Sequence, residues 1–388
     1  MIIVWVLLGA FFLGYLQEKL YARYWDKDLS VSLHFQEESV TEGESCVLCE
    51  QVENAKLLPI PALKVKFQLS RYLQVEQADG ASSVTDQYYR NDVLSIRPYM
   101  RHVRRLTFFC KKRGFYRING LDLVAGNLLL SKELPKSLPS DTQLYVYPRA
   151  YRSREFEQAI QKLNGEILSR RHVLEDPFEY RGIREYSPYD TMRDINWKAS
   201  AKTGDLKVNM KNYTALKAIR LFVNLEDGAI LRQMELLEAS VSMAVGLAEL
   251  FLKQGIRTAL YTNGPDILTG ELICLEAASG IGHMESINRG LARIDLTESA
   301  PAFVPGFREA VLEKKDSFGD VFTVFISPDT QEDFQGLLCE CQAKGMDFVW
   351  VCPIAPHMEA KVLPGLEGVS MKIMVDGQGK EAAGRGEG

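Results

Sequence analysis

The chain has 388 residues, 46% of them hydrophobic and 25% charged, with 51 acidic against 46 basic side chains and a net charge of −5. That length exceeds what one compact core usually serves, and the composition is that of a globular protein, not a disordered one. The acidic balance speaks against a nucleic-acid binder, which needs a basic footprint to neutralise phosphates.

The first element is "IIVWVLLGAFFLGYL", Ile2 to Leu16, which carries no charge. As a helix it reaches roughly 22 Å, short of a bilayer core of about 30 Å. Snorkelling at Glu18 and Lys19 extends the usable span to Tyr21, with Trp5, Tyr15 and Tyr21 as interfacial anchors. A secretory signal would show a basic start and a small-residue cleavage site, but nothing basic precedes Ile2 and bulky Tyr15, Leu16 and Gln17 close the run. Residues 1–21 are therefore expected to be a membrane anchor, although a helix this short also fits lying in the interface. Lys19, Arg23 and Lys27 follow the span, so the positive-inside rule implies a single-pass cell-membrane protein with its bulk facing the cytoplasm. The seven cysteines have no regular spacing and are expected to be free thiols in a reducing compartment. Cys46 and Cys49, three apart on a strand, point to opposite faces, which suits neither zinc nor a redox pair.

Residues 28–148 alternate apolar and polar side chains in short runs: "LSVSLHF", "ESCVLCEQVEN", "ALKVKFQLS", "HVRRLTFFCKKRGFYRI" and "TQLYVYP". Turn signals at Glu42-Gly43, Lys56 to Pro61 and Asn119-Gly120 separate them. This predicts an immunoglobulin-like β-sandwich. The basic run from Arg101 to Arg113 is expected to be a solvated strand face, not a polyanion site. Residues 149–217 form a connector, opening with a helix over Arg154 to Arg171 that Asn164-Gly165 interrupts. From 218 to 376 the period changes. Continuous apolar strands such as "AIRLFVNL", "DVFTVFIS" and "DFVWVCPI" alternate with helices, and Met234, Leu237, Val241, Val245, Ala248 and Leu252 mark one buried helix face. The expected fold class is thus multidomain α+β: a membrane helix, a β-sandwich, then an α/β domain with a mostly parallel sheet. Residues 377–388 are Gly- and charge-rich and are expected to be disordered.

Within the connector, "RGIREYSPYDTMRDINWKASAK" runs from Arg181 to Lys202. It resembles the signature of the bacterial family labelled domain of unknown function fifty-eight, which reads roughly R-G-x-R-x-Y-x-P-G-D-x-x-R-x-I-x-W-x-A-S-A-R. Arg181, Gly182, Arg184, Tyr186, Pro188, Asp190, Arg193, Ile195, Trp197, Ala199, Ser200 and Ala201 match. Tyr189 stands where the family usually has Gly, and Lys202 where it has Arg. "KKRGFYRI" is similar to a second family stretch. Where family members often begin with a hairpin of two spans, this chain has one. The resemblance implies a C-terminal fold like the von Willebrand factor type A domain, and a MoxR-type AAA+ ATPase as partner, since such ATPases tend to be encoded alongside.

A von Willebrand A-like domain suggests a divalent-cation cage of the D-x-S-x-S type. Here the three positions hold Asn224, Glu226 and Gly228, and the later strand offers Ser327 and Asp329 with Pro328 between them. The carboxylate has become an amide and a hydroxyl is missing, so the site is expected to be degenerate. An alternative keeps Mg²⁺ or Ca²⁺ on Glu226, Asp227 and Asp329. In the signature, Asp190, Asp194 and Glu185 are candidate acids or bases, but no Ser/Cys–His pair accompanies them. Carboxylates interleaved with arginines more often form ion pairs. A structural clasp is favoured, in which Asp190 caps a helix over Thr191 to Trp197, Arg184 and Arg193 pair with Asp190, Asp194 or Glu185, and Trp197 packs under the sheet. A partner-docking face that includes Lys198 is the next reading, and a hydrolase on Asp190 and Asp194 the last. The expectation is a membrane-anchored, non-enzymatic interaction protein without cofactor, nucleic acid or small-molecule substrate.

Overall fold

The computed structural model describes residues 2–75, 81–84, 87–173, 175–187, 190, 192–213, 218–226, 233–312 and 321–375. The chain divides into two units, Met1–Arg149 with Leu291–Arg293, and Ala150–Gly290 with Ile294–Gly388.

The first unit begins with helix α1 (Ile2–Tyr24), 23 residues long. At 1.5 Å per residue this is about 35 Å, longer than the apolar run alone and sufficient by length and composition to cross a membrane. Its last turn does not leave Tyr21 free as the interfacial anchor expected. Tyr21 is 2% exposed and, with Trp25, belongs to the core of the sandwich. The Tyr21 hydroxyl donates to the Pro59 carbonyl at 3.0 Å, which satisfies the one polar atom that burial would orphan.

Ten strands follow: β1 (Leu29–Phe35), β2 (Ser39–Thr41), β3 (Ser45–Asn54), β4 (Ile60–Ser70), β5 (Leu73–Val75), β6 (Ala81–Val84), β7 (Gln87–Ile96), β8 (Met100–Cys110), β9 (Gly114–Gly126) and β10 (Glu133–Tyr147). They make two sheets, ordered β1-β3-β8-β5 and β2-β10-β9-β4-β7-β6. The period of two sends Cys46, Leu48 and Val52 of β3 and Leu106 and Phe108 of β8 inward to meet Val65 and Phe67 of β4 and Leu121 and Leu123 of β9 in one core. The stretch His102 to Ile118, expected as one strand, is two. β8 and β9 lie in different sheets, and the chain crosses between them over 111–113. Asn119-Gly120, expected as a turn, lies inside β9, opposite a bulge between Pro139 and Thr142. Arg101 and Arg104 face Glu53 and Glu50 across the β3–β8 ladder, so the basic run is balanced locally. All seven cysteines are free. Cys46 and Cys110, both fully buried, hydrogen-bond through sulfur at 3.6 Å; that bond and burial push the Cys46 thiol well above its ordinary value.

The second unit opens with α2 (Arg154–Val173), which runs unbroken through Asn164-Gly165. A helix-interior Gly costs about 1 kcal/mol, and the burial of Phe156, Leu163 and Ile167 on one face offsets it. β11 (Glu175–Glu185) and β12 (Lys207–Tyr213) pair antiparallel around a 3₁₀ turn at Met192–Asp194 and α3 (Trp197–Thr203). Then come β13 (Ala218–Val223), α4 (Met234–Lys253), β14 (Thr258–Pro265), β15 (Leu272–Ala278), α5 (Ile281–Ala292), α6 (Phe303–Phe307) with a π turn over Arg308–Leu312, β16 (Val321–Ile326), α7 (Glu332–Ala343), β17 (Phe348–Ile354) and β18 (Ser370–Met374). The sheet order is β15-β14-β13-β16-β17-β18, parallel throughout except for the β14–β15 pair. Helices α6 and α7 cover the face bearing Phe222, Phe325 and Trp350. α4 contributes nothing to that aromatic cluster; most of its side chains are buried, and the Phe156 ring of α2 reaches its Gly246. Gly246 permits that approach: a Cβ there would sit 3.3 Å from the Phe156 ring.

Phe108 and Phe109 test the sandwich register. Phe108→Ala is expected to cost about 3–5 kcal/mol in urea denaturation of the detergent-solubilised chain, and Phe109→Ala, on the outward face, only a small fraction of that.

Candidate functional site

In the parallel sheet the strand order reverses between β13 and β16, and the carboxyl ends of strands at such a point are where open α/β sheets form their crevices. β13 delivers Asn224 and Glu226 there, β14 delivers Asn263, and β16 delivers Ser327 and Asp329. Asn224, Asn263 and Ser327 are buried. The Asn224 side-chain amide donates to Ser327 Oγ at 3.0 Å. Its Oδ1 accepts from the Glu226 backbone N–H at 2.9 Å and from Asn263 Nδ2 at 3.2 Å. Asn263 in turn accepts from the Leu225 N–H at 2.8 Å and donates to the Pro301 carbonyl at 2.8 Å. Ser327 Oγ also accepts from the Asp329 N–H at 3.1 Å, and Asp329 Oδ1 accepts from the Gln331 N–H at 2.8 Å. Glu226 Oε2 accepts from the Phe303 N–H at 2.8 Å.

Asn224 Oδ1, Ser327 Oγ and one carboxylate oxygen each of Glu226 and Asp329 thus accept from N–H donors. The Asn224 amide takes the central place, because it alone can donate to Ser327 and accept from two partners at once. An ionised carboxylate in this buried position would carry a large desolvation penalty without a cation. Among the described residues no three His, Cys, Asp or Glu side chains are grouped to hold a metal. Gly228 and Asp227 lie outside the described residues. Asn263 is not among the residues singled out from the sequence; its signal is a polar residue directly after the apolar run "TALYT".

The signature residues are held partly as expected, with Arg184 paired to Asp190, and partly otherwise. Arg181, Gly182 and Arg184 lie on β11. Arg184 grips Asp190 with two nitrogens, one at 2.7 Å, and Asp190 Oδ2 also accepts from the Ser187 N–H at 2.7 Å. The Arg184 bond first, and then the Ser187 N–H, hold the Asp190 carboxyl below the usual carboxylate range. Asp190 therefore ties the loop back to β11, and of the helix expected over Thr191 to Trp197 the described residues form the 3₁₀ turn Met192–Asp194. A carboxyl whose pKa is lowered by an arginine in this way suits an ion pair better than a general acid. The helix that forms, α3, starts at Trp197 and is capped by Asn196, whose Oδ1 accepts from the Ala199 N–H at 2.9 Å. Asn196 also donates to Asn209 at 2.7 Å, and its backbone N–H reaches Lys207 O at 2.8 Å. Ser200 Oγ donates to Asn196 O and accepts from the Lys207 N–H. Gly204, at φ +82°, closes α3 in the left-handed conformation that Gly adopts without strain. Beside the Arg184–Asp190 pair, the loop is held by Asn196, Ser200 and Lys207, of which only Ser200 belongs to the matched positions.

Trp197 does not pack under the sheet. It is 62% exposed, because α3 buries only Ser200 and offers no apolar face to receive an indole. Met192, 67% exposed, Ile183 and Leu206 are exposed as well. Arg193, Lys198 and Lys202 are exposed, Tyr186 and Asp194 half-buried, and Glu185 pairs with Lys207 at 3.2 Å. Pro188, Tyr189 and Thr191 lie outside the described residues.

No protein-family model matches the chain, and no curated protein matches its sequence. Among solved structures it is similar to a non-cellulosomal cohesin from the hyperthermophilic archaeon Archaeoglobus fulgidus, at 11% identity over 35% of this chain and 97% of that one, with a TM-score of 0.22. It is also similar to a type I cohesin–dockerin complex from Clostridium thermocellum, at 10% identity over 30% and 99%, TM-score 0.21. A PapD-like domain of human CEP192 is similar at 13% identity over 30% and 86%, TM-score 0.19. At these scores the likenesses carry no argument about function.

Asn224→Ala removes the acceptor shared by Glu226 and Asn263 and is expected to cost about 1–3 kcal/mol, read as a lower urea midpoint. Millimolar Mg²⁺ or Ca²⁺ should leave the melting temperature of the unaltered chain where it is. Asp190 sets a pH dependence. Its folded pKa is depressed from the ordinary 3.8, so its hold on the loop is complete above that value and lost as pH falls through the lower one. Amide-exchange protection at Ser187 should therefore drop only below about pH 4, and Asp190→Asn should show weak protection at every pH.

Proposed function

We propose that the chain is a membrane-anchored, non-enzymatic interaction protein whose Trp197 face docks a MoxR-type AAA+ ATPase in the cytoplasm. In this reading α1 is a single-pass anchor and the second unit is von Willebrand factor A-like; the antiparallel edge strand β15 and the sheet order are in keeping with that. The exposure of Trp197 carries the docking assignment. A clasp would bury its largest side chain, whereas here the indole stands out with Met192 on a loop that other residues hold rigid. An exposed aromatic and an exposed methionine five residues apart, with exposed cations in the same stretch, have the composition of an interface anchor. Arg193, Lys198 and Lys202, exposed in the same stretch of chain, favour an acidic partner surface. The ATPase itself comes from the resemblance to family fifty-eight. The cation-dependent and hydrolase readings have less support, since the oxygens at Asn224 and Ser327 are engaged and Asp190 is held ionised.

Affinity capture from native membranes tests this reading. The unaltered chain is expected to retain a MoxR-type ATPase, and a Trp197→Ala, Met192→Ala variant to lose about tenfold or more of it with its urea midpoint unchanged. Equal retention by the variant would remove the docking face, and no ATPase with the unaltered chain would remove the partner.

A further inference from the structure

The end of the sandwich from which α1 emerges exposes apolar side chains that the fold does not use. Leu128, Leu129 and Leu130, at the tip between β9 and β10, are 55%, 65% and 63% exposed. The tip is built, not slack. Asn127, fully buried, accepts from the Ser131 N–H at 2.8 Å and the Lys132 N–H at 3.3 Å, and its amide donates to Ser131 Oγ at 2.8 Å. The Leu130 N–H closes onto Asn127 O at 2.9 Å. Leu130 sits at φ +54°, where Gly or Asn is favoured. The Leu130 side chain touches Gly126 at one methyl but stays largely exposed and outside the core.

Its neighbours say what covers it. Lys132, two residues beyond the tip, pairs with Glu18 of α1 at 2.7 Å. Glu18 follows the last residue of the uncharged run, Leu16, by about 3 Å of helix. The tip therefore lies where α1 leaves its apolar stretch. The strand registers bring two more turns to this end: Asn54 pairs with Met100, Ile60 with Ile96, and Ala62 with Gly126. Those turns expose Leu57 at 74% and Tyr99 at 71%. Lys56 Nζ donates to the Trp25 carbonyl at 2.8 Å, tying the same end to the foot of α1. Among the described residues, the turns at the opposite end, 36–38, 42–44 and 111–113, expose no large hydrophobic side chain and carry Glu37, Glu38, Glu42 and Glu44.

We infer that this end of the sandwich is a second lipid-contacting site, with Leu128–Leu130, Leu57 and Tyr99 seated in the bilayer interface beside α1. The inference rests on α1 being a membrane anchor. Leucines with a tyrosine and snorkelling lysines are what an interface accepts. Lys132 and Lys136 are already paired with Glu18 and Asp26, so insertion draws on apolar contact and needs no anionic lipid.

Fluorescent labels on single cysteines decide it, in the full chain with Cys274→Ser and Cys339→Ser, reconstituted in phosphatidylcholine vesicles carrying nitroxide lipids. A label at Leu129→Cys is expected to be quenched several-fold more by a nitroxide near the headgroup than a label at Gln36→Cys, at the opposite end. A label at Phe11→Cys is expected to be quenched by a nitroxide near the acyl-chain ends. Quenching at Phe11 without quenching at Leu129 overturns the inference and leaves the anchor standing. No quenching at either overturns both, and equal quenching at Leu129 and Gln36 overturns the end-on arrangement.

Discussion

The last turns of α1 are part of the sandwich core. Tyr21 is buried among core residues with its hydroxyl on Pro59, Trp25 joins the same cluster, and Lys56 ties the Trp25 carbonyl. A helix joined this way is a rigid extension of the β-domain and not a flexible tether. Whatever direction α1 takes in a bilayer, the strands inherit it. Which turns approach lipid and which stay in water then follows from the registers of β3, β4, β8 and β9.

In the second unit the governing constraint is polar satisfaction at the ends of the parallel strands. A buried amide, hydroxyl or carboxylate needs partners. Asn224, Asn263, Ser327 and Glu226 find them in one another and in nearby backbone N–H groups. The same strand ends that could build an ion cage here build a closed network. The loop held by Arg184–Asp190 and by Asn196, Ser200 and Lys207 instead supports exposed side chains without covering them.

Much of the architecture was legible in the residues. Alternation in "SCVLCEQV" marked a half-buried strand, uninterrupted "AIRLFV" and "VFTVFI" marked strands covered on both faces, and the spacing from Met234 to Leu252 marked α4. What failed did so where a distant partner decides. Tyr21 reads as an interfacial anchor until Pro59 is seen to meet it. "TFFCKKRGFYRI" reads as one strand because nothing local announces a change of sheet. Asp190 and Trp197 were assigned by the order of residues along the loop. The pairing of Arg184 with Asp190 was legible from alternating charge, but the exposure of Trp197 on α3, which buries only Ser200, is a fact of three dimensions. Asn196 and Asn263, which organise their surroundings, looked like ordinary polar residues at the ends of apolar runs.

The rigid union of α1 with the sandwich is the claim from which the rest is argued, and magnetic alignment measures it most directly. Residual dipolar couplings from backbone amides of α1 and of β3, β4, β8 and β9, recorded for the full chain in aligned bicelles, should fit a single alignment tensor. Two tensors of different magnitude, with that of the strands averaged toward zero, would mean that the helix swings freely and that no end of the sandwich is assigned to the membrane.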